Sequence, residues 1–208
     1  MIINMTNIYY ICSYGGCGSK MLLRFISKYA PCYHIHSRVP PTYLEFVNNG
    51  HFNGNVIENK DVSKYKVIYI FRNPSEAQMS IFSSLKKRQL KHWSNIQVKD
   101  SSNIPEIEEY LKRNVDSLNY MEFFNNYIEN KINLNYSIIA INYHKLWNNI
   151  PELIKILELP IICINKFPKK KEKSIKKYPN YVKGLNIINK QLVDKIHKMP
   201  SIILLNPM

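Results

Sequence analysis

Acid is short in this chain: 15 Asp and Glu stand against 29 Lys and Arg, a formal net charge of +14 over 208 residues. Such a balance favours nucleic acid, an anionic membrane face or a polyanionic small substrate as partner. Cysteine is also sparse. Cys12, Cys17, Cys32 and Cys163 form no CxxC pair and no dense framework, which excludes a disulfide scaffold and predicts free thiols in a reducing compartment. Apolar runs are too short to span a bilayer. MIINMTNIYY offers no basic leader followed by a small-residue cleavage site, so a cytoplasmic location is expected. No internal repeat is evident.

What is present suits a single domain over 1–208, long enough for a central sheet with flanking helices. The positive charge is clustered. Lys86, Lys87, Arg88 and Lys91 form one group, and Lys166, Lys169, Lys170, Lys171, Lys173, Lys176, Lys177 and Lys183 gather towards the end. A solvated lysine face in a chain rich in Asn, Ile, Lys and Tyr explains the abundance better than the clustering.

Along the chain, Ile8 to Ser13 is a short β-branched and aromatic run that enters a turn carrying Gly15, Gly16 and Gly18. Lys20 to Tyr29 then has helical spacing, and Cys32 to Ser37 reads as a second strand. Residues 42–60 suggest loops around a short helix. VIYIF, Val67 to Phe71, is a strand covered on both faces, ended by Asn73-Pro74 and followed by a helix from Ser75. Residues 92–103 read as a loop, Ile104 to Ile128 as one helix buried on one side, Ser137 to Asn142 as a strand and Pro151 to Leu157 as a helix. The alternation predicts an α/β fold: three layers, with a mostly parallel sheet, right-handed crossovers and a phosphate-binding strand-turn-helix. Ligands of such sheets sit at the carboxyl ends of the strands. The glycine turn, Arg72 and Tyr143 all fall at that end.

Two segments carry candidate chemistry. A Walker A loop needs G-x-x-x-x-G-K-[ST], whereas the order here is Gly18-Ser19-Lys20 with Ser13 five places before Gly18. No acid closes the Val67 strand to help hold magnesium. Metal-independent phosphate binding through N–H groups, a hydroxyl and an ammonium remains, as does a mere chain reversal. Arg72, with Ser80 eight residues on, can grip a phosphate; equally, Arg72 can pair with a local acid such as Glu76. Cys32, His34 and His36 alternate on one strand face. A zinc site there has no visible fourth ligand, so histidines with ordinary hydrogen bonds are expected and no metal.

SYGGCGSKMLL and VIYIFRNPSEAQMS together resemble two motifs of the sulfotransferase superfamily, whose donor is 3′-phosphoadenosine 5′-phosphosulfate (PAPS). The resemblance implies that the turn Gly15, Gly16, Cys17, Gly18, Ser19, Lys20 and Met21 contacts the 5′-phosphosulfate, and that Arg72 and Ser80 hold the 3′-phosphate. INYHKLWNNIPELIKILELP is similar to a third family element and would place Tyr143 near the adenine. YPNYVKGLNIINKQLVDKI resembles the basic, glycine-containing loop over the donor, with Lys183 and Gly184 the candidates. Many members carry a basic residue where this chain has Gly16; Lys20 is the substitute. For the catalytic base the candidates are His36 first, then His34 and Glu58.

The expected activity is therefore transfer of a sulfuryl group from PAPS to a hydroxyl or amine of a carbohydrate or small-molecule acceptor. The competitors are an ATP-dependent small-molecule kinase or other nucleotide-binding enzyme, and a non-catalytic basic module that binds nucleic acid or a polyanionic glycan. Trp93, beside Lys91 and His92, would give the latter one stacking point.

Overall fold

Strands with no polar face have to lie in the middle of a sheet, and two of them organise this protein. Ile8–Cys12 (β1) and Tyr65–Phe71 (β5) are buried almost throughout and pair in parallel, Tyr10 opposite Val67 and Cys12 opposite Tyr69. The computed structural model describes residues 7–35, 37–40, 51–52, 55–56, 65–83, 106–116, 118–129, 134, 136–170 and 178–205. Cys32–Ile35 (β2) lies beside β1, and Ile138–Asn142 (β6) lies beside β5, both in parallel. Ile202–Leu205 (β7) closes the other edge antiparallel to β6, giving the order β2-β1-β5-β6-β7.

The helices are Ser19–Ile26 (α1), Pro74–Phe82 (α2), Ile107–Arg113 (α3), Tyr120–Ile128 (α4), Ile150–Ile156 (α5), Pro179–Ile188 (α6) and Lys190–Lys198 (α7). α4 covers β5 with aromatic rings: Tyr127 stacks on Tyr69 with centroids 4.3 Å apart, and Phe124 meets Phe71 edge-on at 5.3 Å. α6 packs on α2 and α3.

Buried tyrosine is the material of this core. Tyr9, Tyr10, Tyr14, Tyr69, Tyr110, Tyr120, Tyr127 and Tyr136 are all fully enclosed. A buried phenol favours a partner, and for three of these a main-chain oxygen supplies it. Tyr14 donates to the Leu118 carbonyl at 3.0 Å, Tyr127 to the Ser37 carbonyl at 2.9 Å, and Tyr9 to the Leu157 carbonyl. Each such bond ties together segments distant in the chain.

The structure departs from expectation in three places. The single helix expected over 104–128 is two, because Asn114 and Asn119 adopt the left-handed conformation (φ 50° and 54°), which asparagine tolerates better than most residues. Asp116 between them accepts from Gln78 Nε2 at 2.9 Å, the Tyr110 hydroxyl at 3.0 Å and the Met121 N–H at 3.1 Å. Within 42–60, two short strands, His51–Phe52 (β3) and Asn55–Val56 (β4), pair antiparallel, and the sequence between them is Asn-Gly, a hairpin signal. The stretch expected as a loop over the ligand is the pair α6 and α7. β7 runs antiparallel at one edge, so the sheet is mostly parallel, as expected. His36, Glu58, Lys86–Lys91, Trp93 and the 92–103 loop lie outside the described residues.

Asp116→Ala strands three donors around the break between α3 and α4, and should cost about 2–3 kcal/mol in urea unfolding. A loss under about 0.5 kcal/mol, the range of ordinary surface substitutions, would show that the break does not depend on this carboxylate.

Candidate functional site

The chain leaves β1 for β2 on one side and comes back past β1 to β5 on the other. Adjacent connections therefore diverge at the carboxyl ends of β1 and β5, the place where open α/β sheets form a crevice. The glycine turn follows β1, and Arg72 follows β5.

Three glycines of the turn have positive φ: Gly15 at 118°, Gly16 at 64° and Gly18 at 91°. Two of them also sit where a side chain has no room. A Cβ on Gly16 would lie 2.7 Å from the Ala77 carbonyl oxygen and 3.1 Å from Ser80 Cβ; one on Gly18 would lie 2.4 Å from Cε2 of Tyr143. The turn is consequently pressed against α2 on one flank and against the residue after β6 on the other. Inside it, the Ser13 hydroxyl donates to Ser19 Oγ at 3.0 Å, and the Cys17 thiol donates to the Gly15 carbonyl at 3.1 Å. Both Ser19 and Cys17 are buried, while Lys20 is exposed.

The two helix starts at this crevice are built differently. α2 is capped from within: the Asn73 side chain accepts from the Ser75 and Glu76 N–H groups at 2.9 and 3.4 Å, Pro74 takes the first position, and Glu76 adds a negative charge. α1 has no side-chain cap and no acid in its first turn. It opens instead with Ser19 and Lys20, so a cation stands at the positive end of the helix dipole, against the usual preference.

Arg72 joins these parts. Only 2% of its side chain is exposed, yet its guanidinium donates to the Gly16 carbonyl at 3.1 Å, pairs with Glu76, and lies over the Tyr143 ring, 4.9 Å from the centroid. Burial lowers its pKa from the ordinary value without threatening its charge. Its main chain is held by Tyr120, whose hydroxyl donates to the Arg72 carbonyl at 2.9 Å, accepts from the Arg72 N–H at 3.4 Å and lies 3.5 Å from Cys17 Sγ. Arg72 Nε is buried without a hydrogen-bond partner.

His144 completes the cluster. Its Nε2 lies 3.5 Å from Glu76 Oε2 and makes no hydrogen bond, while its ring meets Tyr143 edge-on at 6.0 Å. Burial first, then the charges of Arg72, Lys170 and His197, push its pKa down to about 4, so the imidazole is neutral at physiological pH.

Thus Gly15 to Met21, Arg72, Ser80 and Tyr143 come together around one turn. Lys183 and Gly184 take a different place: they lie on α6, where Gly184 permits close approach to Leu111, a Cβ there falling 2.9 Å from Leu111 Cδ2. His36 and Glu58 lie outside the described residues, and His34 sits on the edge strand β2. The four cysteines are free and buried. The Cys32 thiol is pushed up to about 12 by burial, which removes it as a thiolate nucleophile. Among the described residues no three His, Cys, Asp or Glu side chains gather as a metal site. Glu76, Tyr120 and His144 are the participants that the sequence motifs did not single out as site residues. Spacing carried a signal for Glu76 alone, four residues after Arg72 on the following helix.

No family model, curated protein or solved structure matches this chain.

His144 yields a pH prediction. In the unfolded chain it titrates near 6.5 and in the fold near 4, so the unfolded state binds the extra proton between those values. Stability should be full above about pH 6.5 and fall as pH drops towards 4. The loss attributable to His144 is at most about 3 kcal/mol, reduced by solvent at its exposed edge. His144→Asn should flatten this part of a stability-versus-pH curve; an unchanged curve would place the acid sensitivity elsewhere.

Proposed function

We propose that the protein is a transferase that binds a doubly phosphorylated nucleotide at the glycine turn and passes a sulfuryl group from PAPS to a hydroxyl or amine of a small-molecule or carbohydrate acceptor. The observation that carries this reading is the meeting of the two motifs. Gly16 of the first lies in van der Waals reach of Ser80 and accepts from Arg72 of the second.

The donor set fits such a ligand. Gly15 to Lys20 lead into a helix start without a side-chain cap, where an anion would be favoured by both the helix dipole and the charge of Lys20. The absence of a side chain at Gly16 and Gly18 brings the turn against Ala77, Ser80 and Tyr143, so that both motifs face one ligand. Ser80 and the unpartnered Arg72 Nε supply a second set of donors beside the first. Tyr143, held by Gly18 on one side and Arg72 on the other, offers a ring edge for a base.

In this reading the 5′-phosphosulfate lies on Gly15 to Lys20, the 3′-phosphate on Arg72 and Ser80, and the adenine near Tyr143. Bound PAPS supplies an activated sulfuryl group and a good leaving group. Lys20 and the amides of the turn stabilise the charge that grows on the bridging oxygen as it departs. Gly16 brings no charge of its own, so this role falls to Lys20. The lysines around the crevice raise the local concentration of an anionic ligand.

A nucleotide series tests the proposal. 3′-Phosphoadenosine 5′-phosphate should bind at least about ten-fold more tightly than AMP, ADP or ATP, without magnesium, and Ser80→Ala should remove most of that preference. Equal binding of all four, or no saturable binding, would overturn it.

A further inference from the structure

The guanidinium that the proposed function assigns to a phosphate already has an anion on it. Glu76, one helical turn after Arg72, pairs with it; Arg72 is 2% exposed and Glu76 24%. Of the two, only the carboxylate has a route outward. The same oxygen that pairs with Arg72, Glu76 Oε2, lies 3.5 Å from His144 Nε2, which is buried and without a hydrogen-bond partner.

We propose that Glu76 is a built-in competitor for the ligand's phosphate, which occupies Arg72 until a phosphate monoester displaces it towards His144. The inference rests on the proposed phosphate site and assigns that site's selectivity.

Charge explains why such a competitor selects. Arg72 and Glu76 neutralise each other, so an incoming monoanion, such as a phosphodiester or a carboxylate, gains nothing over the anion it must replace. A monoester dianion carries twice that charge and presents three oxygens to the donors around it: Arg72, Ser80 and the amides of the turn. Displacement also has somewhere to go. Burial first, then the charges of Arg72 and Lys170, hold His144 neutral. Once a dianion screens Arg72 and the Glu76 carboxylate moves over, the imidazole gains an acceptor and its protonated form becomes favourable. The buried nitrogen that has no partner then acquires one. Glu76 acts here as a specificity-determining residue and His144 as a positioning residue for it.

The isosteric change Glu76→Gln removes the competing charge while leaving the side-chain volume. 3′-Phosphoadenosine 5′-phosphate should then bind about ten-fold more tightly than to the wild-type protein. The margin over 2′,3′-cyclic AMP, a phosphodiester, should shrink. His144→Asn should weaken binding of 3′-phosphoadenosine 5′-phosphate several-fold in the wild-type background and leave it unchanged when Glu76→Gln is also present. A merely structural histidine would not show that dependence. If Glu76→Gln leaves too little folded protein, Glu76→Asp, which keeps the charge and shortens its reach, carries the same expectation. Unchanged or weaker binding in the Glu76 variants, with saturable binding in the wild type, overturns this inference alone. No binding in any of the proteins overturns the phosphate site with it.

Discussion

The architecture of the crevice depends on one buried cation. Arg72 is enclosed, and an enclosed guanidinium is tolerable only if its surroundings supply acceptors and negative potential. The Gly16 carbonyl, the Glu76 carboxylate and the face of Tyr143 do so, and they come from three different elements. Tyr120 fixes the main chain that carries the charge, through bonds to both the N–H and the carbonyl of Arg72. Removing any one of these leaves charge or polar surface uncompensated, so the turn, the start of α2 and the end of β6 are held as one unit. The left-handed glycines follow from the same requirement, because only a turn without side chains can come this close to α2 and Tyr143.

The sequence made the frame legible because its signals there are local. VIYIF is apolar without alternation, and Asn73-Pro74 supplies both a cap and a helix start. Gly15, Gly16 and Gly18 mark a turn that only glycine can make. The convergence of the glycine turn, Arg72 and Tyr143 was anticipated by their common position after strand ends. Features that depend on distant partners were not legible. The break at Asn114 to Asn119 is set by Asp116 reaching Gln78 and Tyr110, and helical periodicity runs straight through it. β7 is an edge strand whose meaning comes only from Ile138 to Ile141 beside it. His144 owes its neutrality to burial and to charges from elsewhere in the fold, none visible in its own neighbourhood of the chain.

Of the two meanings first open for Arg72, the ion pair is observed and the phosphate grip is proposed for the same atoms. The guanidinium is paired with Glu76, as a structural arginine would be, and it also sits against the glycine turn beside Ser80, as a phosphate grip would. Under the proposal, an internal carboxylate and a ligand phosphate are alternatives at one place. Selection for a dianion then follows from electrostatics, without any residue devoted to recognising the rest of the ligand. The contrast between the two helix starts points the same way: α2 carries its own cap, and α1 leaves its amides beside an exposed lysine.

The most direct measurement is a titration of isotope-labelled protein with 3′-phosphoadenosine 5′-phosphate, followed by amide and arginine side-chain resonances. The account predicts that the Gly15, Gly16, Gly18, Ser19 and Lys20 amides shift together with Arg72 Nε–H along one saturable curve. Those resonances remaining still while shifts gather on exposed lysines such as Lys166, Lys169 and Lys170 would contradict it.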